Sequence, residues 1–86
     1  MSKHPHTLPY HDGDLKELAQ EIGNLQYDKL AEFLYHLESD LEKQSENDAR
    51  KGRVQLSNTL REVHLNIQLA IKPLEKAWRI CKPYMK

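Results

Sequence analysis

Leu30, Leu34, Leu37 and Leu41 recur at spacings of four, three and four. A second apolar series follows out of phase: Leu56, Leu60, Val63, Ile67, Ala70, Leu74, then Trp78 or Ala77, and Cys81. These two series constrain the fold more than any other feature. Spacings of three and four place side chains on one face of an α-helix. A single heptad frame carried on from Leu30 lands on Asn58 and Glu62, both polar, so the two series belong to separate helices. The stretch 45–53 between them carries Asn47, Asp48 and Gly52 and no apolar anchor. It reads as a turn centred near Lys51.

A shorter helix precedes the pair. Asp14 is placed as an N-cap, with Glu17 three residues on. Leu15, Leu18, Ala19 and Ile22 then form one apolar face, and Gly23-Asn24 is a stop signal. Helices are therefore predicted near 14–22, 25–48 and 53–81. Pro73 removes a backbone donor inside the third and should kink it near Leu69 or Ala70. Residues 1–13, with Pro5, Pro9 and Gly13, form a flexible tail, and 14–86 a single domain. The fold class is all-α: an antiparallel helical hairpin with a short N-terminal helix.

If the turn lies near residue 50, residues whose numbers sum to roughly 100 face each other. Leu37 then meets Val63, Leu41 meets Leu60, Leu34 meets Ile67 and Leu30 meets Ala70. Tyr27, Phe33 and Trp78 are expected in the core. Four further apolar residues, Val54, Leu65, Leu69 and Ile80, project away from that seam. The nine-residue first helix cannot cover both Val54 and Ile80, about 39 Å apart on a straight helix. A second copy of the chain is the simplest cover, giving a homodimer arranged as a four-helix bundle.

The chain's formal net charge of zero hides a split. Through Ala49 there are four basic residues against eleven acidic ones; from Arg50 there are nine against two. The acidic second helix and basic third helix are expected to attract each other. The competing reading is a nucleic-acid-associated protein, with Arg50, Lys51 and Arg53 at the turn and Arg61, Lys72, Lys76 and Arg79 along the third helix neutralising phosphates.

Other chemistry finds little footing. A lone cysteine excludes an internal disulfide framework and a multi-cysteine zinc site. Glycine-rich phosphate loops and nucleophile elbows are absent from the sequence, and no enzyme, cofactor or metal site is expected. His36 and His64 lie on diverging faces and are read as surface histidines. No apolar run reaches the roughly 18 residues of a membrane span. No apolar stretch follows Met-Ser-Lys-His-Pro-His, so no secretory leader is expected. The resulting expectation is a small cytoplasmic module for protein–protein interaction, acting by self-association or by docking a partner helix.

Overall fold

The computed structural model describes residues 4–84. Three α-helices follow one another, α1 (Leu15–Gly23), α2 (Tyr27–Arg50) and α3 (Val54–Cys81), and a 3-10 turn spans Lys82–Tyr84. The described residues contain no strand. The α2 and α3 helices pack together as the antiparallel hairpin, and α1 has no comparably extensive packing against either. No helix among the described residues is long and apolar enough to cross a membrane.

Local chemistry explains the boundaries. Asp14 caps α1, its Oδ1 accepting the Glu17 N–H at 2.8 Å. Gly52 makes the hairpin turn with φ of +80°, a conformation that disfavours any side chain. Its N–H donates to the Ala49 carbonyl at 3.0 Å, and the Arg53 N–H donates to the Asp48 carbonyl at 2.8 Å. That double closure is a Schellman motif, which satisfies the last carbonyls of α2. The Arg53 guanidinium then binds the Asp48 carboxylate at 3.0 Å across the same turn. The α3 helix runs through Pro73 as one element.

The seam differs in rotation from the sequence expectation. The α2 residues enclosed by the hairpin are Ala31, Glu38 and Ser45; those of α3 are Ser57 and His64. Leu34, Leu41, Leu60, Ile67, Leu74, Trp78 and Cys81 are half-buried beside them, as expected for seam residues. Leu37, Val63 and Ala70 are exposed instead, and Ile71 is half-buried. Phe33 and Tyr27 are exposed as well. Each helix is turned by roughly 70–80° about its axis from the face its apolar residues alone suggest.

The physical reason is a ladder of polar pairs. Ser45 Oγ donates to the Ser57 carbonyl at 2.8 Å, and Ser57 Oγ donates back to the Ser45 carbonyl at 2.8 Å. Farther from the turn, His64 Nδ1 and Glu38 Oε1 are 2.9 Å apart, and Gln68 Nε2 donates to the same Oε1 at 2.8 Å. Both pairs have residue numbers summing to 102, so together they fix the register. His64 is therefore a buried interhelical residue, not the surface histidine expected from sequence. A buried polar group without a partner costs about 1–3 kcal/mol, roughly twice what a hydrogen bond contributes net, so the helices turn until all are satisfied. No enclosed side-chain polar atom among the described residues lacks a partner.

Candidate functional site

The rotated seam leaves the hairpin with two unlike flanks. On one, Leu30, Phe33 and Leu37 of α2 lie beside an α3 strip formed by Leu56, Thr59, Val63, Asn66, Ala70, Pro73, Ala77 and Ile80. That α3 strip holds no ionisable residue, although α3 carries six Arg, Lys and Glu side chains over the same span. Phe33, Leu37 and Val63 remain 38%, 39% and 40% exposed. They are half-covered by the hairpin and unfinished by it.

The opposite flank is a polar groove of about 470 Å³ bordered by Glu42, Glu46, Arg61, Leu65 and Gln68, with Ser45, Ser57 and His64 at its base. Glu42 and His64 of that lining and the adjoining Glu38 bring one ligand-type atom each within 4.8 Å of one another. Among the described residues, Glu42 forms no ion pair or hydrogen bond, and His64 bonds through Nδ1 alone.

The residues singled out from sequence fall as follows. Val54, Leu65, Leu69 and Ile80 are all exposed, at 61%, 41%, 67% and 60%. They do not make a continuous apolar surface. Leu65 borders the polar groove, and Ile80 falls at the far end of the apolar flank. Arg61 separates Val54 from Leu65, and Lys72, Lys76 and Arg79 separate Leu69 from Ile80 on the outward side of α3. Of the basic residues, Arg53 is paired with Asp48, and Arg50 hydrogen-bonds Asn47. Lys51 is exposed at the turn. Arg61 stands about 27 Å from Arg79 along α3. The basic residues thus form a strung-out line, not a patch. The charge split is not matched by a run of ion pairs: among the described residues the Arg53–Asp48 pair lies at the turn and the His64–Glu38 contact joins the two helices.

One titratable group outside the hairpin is perturbed. His11 places Nε2 at 2.9 Å from Glu21 Oε2 and Nδ1 at 3.2 Å from the Gly13 carbonyl oxygen. Both neighbours are acceptors, so the doubly protonated ring fits them best. The Glu21 hydrogen bond first, and then the Gly13 carbonyl, raise its pKa above the ordinary 6.5.

The sequence reading missed the Leu30–Phe33–Leu37 and Val63–Ala70 flank as a surface, and the Glu38–Glu42–His64 convergence altogether. A signal for the second lay in the numbering. Ala31, Glu38 and Ser45 recur every seven residues, as do Ser57, His64 and Ile71, and the polar members come level in one register.

No family model, curated protein or solved structure matches this chain.

Proposed function

We propose that this chain is a helical interaction module that self-associates, two hairpins laying their apolar flanks together as a four-helix bundle. The observation that carries this reading is thickness. The molecule measures 50 × 30 × 14 Å and is flat in its thinnest direction, with α2 against α3 as its one extensive helix packing among the described residues. Stable domains bury a core between two layers of secondary structure. This chain has one layer, and Ala31 is the apolar residue it encloses among those described.

The flank suits a second copy. Its α3 strip is free of charge along its length, so a two-fold arrangement sets apolar against apolar and strands no ion. Such pairing would convert the half-covered Phe33, Leu37 and Val63 into a shared core. On this reading the module acts by binding and not by catalysis, and a partner protein with an apolar helix face would compete for the same flank.

Light scattering over a concentration series, combined with a gel-shift assay over a range of salt, tests it. A dimer that leaves nucleic acid unshifted is the expected result. A monomer that shifts nucleic acid in a salt-sensitive way would instead favour the line of basic residues from Arg50 to Arg79 as the functional surface.

A further inference from the structure

We propose that Glu38, Glu42 and His64 form a binding site for a divalent transition-metal ion, with zinc the best match to its donors. Two carboxylates one turn apart on α2 and an imidazole from α3 present one donor atom each within 4.8 Å of one another. Bonds of about 2.0–2.1 Å to a tetrahedral ion place its ligands roughly 3.3 Å apart. The Glu38–His64 separation of 2.9 Å already falls near that value, so the ion would take the place of the proton in that hydrogen bond, releasing it to solvent, and closure requires a side-chain movement by Glu42.

Electrostatics point the same way. Glu38 is 4% exposed, and a second carboxylate, Glu42, stands beside it with no cation bound to it among the described residues. Two neighbouring anions are mutually repulsive, and a divalent cation removes the repulsion. Gln68 donates to Glu38 Oε1 at 2.8 Å. It orients the carboxylate as the outer partners of metal ligands do. Glu42 lies at the mouth of the groove, which gives the ion an entry path and leaves its fourth position to water. A mixed oxygen and nitrogen donor set favours zinc and its neighbours over magnesium or calcium, which prefer oxygen alone. Bound there, the ion would clamp α2 to α3. The groove lies opposite the apolar flank, so binding does not depend on self-association.

Titration of the full-length protein with zinc by calorimetry, and with cobalt by visible absorption, tests the proposal. Expected are one ion per chain, a tetrahedral cobalt band, and a higher thermal midpoint with zinc. Glu42→Gln, chosen because Glu42 is exposed and its loss spares the fold, should weaken zinc at least tenfold. Glu46→Gln on the same groove should leave it within twofold. The proposal is overturned if zinc binds no tighter than millimolar, or if Glu42→Gln binds as wild type does. It is equally overturned if binding disappears in a chain with His4, His6 and His11 replaced by Ala, which would place the ion on the tail.

Discussion

Replacing Glu38 and His64 singly and together tests whether the polar ladder dictates the seam. Glu38→Leu leaves His64 Nδ1 without its hydrogen-bond partner in a ring that is 5% exposed. An orphaned buried donor costs about 1–3 kcal/mol. His64→Leu leaves a carboxylate that is 4% exposed with Gln68 as its remaining hydrogen-bond donor. Breaking a buried pair from one side typically costs about 3–5 kcal/mol. The double replacement removes both problems and adds apolar volume at the seam. Exchanges of this kind are often neutral, or stabilising by about 1–4 kcal/mol. A coupling of at least about 3 kcal/mol between the two sites is therefore expected, well beyond the few tenths seen for independent sites. Urea denaturation of all four proteins at one fixed chain concentration measures it, since a self-associating fold gains stability with concentration. If the single costs simply add in the double variant, the two residues do not act as a pair and the account of the seam fails.

Three further outcomes follow from the same structure. Gly52→Ala should destabilise the fold by about 1–2 kcal/mol in thermal or urea melts, because a side chain at φ of +80° is strained whatever the space around it; an unchanged midpoint would show that the turn relaxes freely. The raised pKa of His11 means that its tie to Glu21 is fully present below the ordinary value of 6.5 and is lost as pH rises through the higher folded value. NMR titration should show Glu21→Gln lowering the His11 pKa, and an unmoved value would remove Glu21 as the cause. Added salt over the low to moderate range should change stability little, since the one Arg–carboxylate pair among the described residues is Asp48–Arg53 at the turn and a part-exposed pair contributes about 0–1 kcal/mol; a steep fall in melting temperature would mean that the opposite charges of the two helices hold the hairpin together.

Much of the architecture was legible from periodicity and punctuation. Helices expected at 14–22, 25–48 and 53–81 form at 15–23, 27–50 and 54–81, because Asp14, Gly23-Asn24 and Gly52 each impose a local backbone geometry that owes nothing to distant residues. The rotation of the seam was not legible in the same way. Val63 and His64 are neighbours separated by about 100° around the helix, and apolar content alone favours Val63 at the interface. The choice of His64 depends on a partner 26 residues away, Glu38, and on the level set by Ser45 and Ser57. Pairings between buried polar groups are tertiary facts, and they override a local apolar preference when an unpaired group is the alternative. The same rotation explains why Leu37, Val63 and Ala70, which apolar spacing alone places in the core, lie on an exposed flank that runs to Ile80.

Self-association through that flank is the central claim, and sedimentation equilibrium on Leu37→Glu and Leu69→Glu beside the wild type tests it most directly. Leu37 keeps 39% of its surface exposed, so covering it contributes about 0.6–1.2 kcal/mol per copy, from roughly 1.5–3 kcal/mol for a full leucine. Loss from both copies corresponds to a dissociation constant raised roughly tenfold to fiftyfold, before the added cost of facing carboxylates. The account predicts a wild-type dimer, a Leu37→Glu chain shifted by at least that factor towards monomer, and a Leu69→Glu chain that dimerises as the wild type does. A dimer broken by Leu69→Glu and untouched by Leu37→Glu would contradict it and place the interface on the outward face of α3. A wild-type monomer at millimolar concentration would contradict self-association altogether.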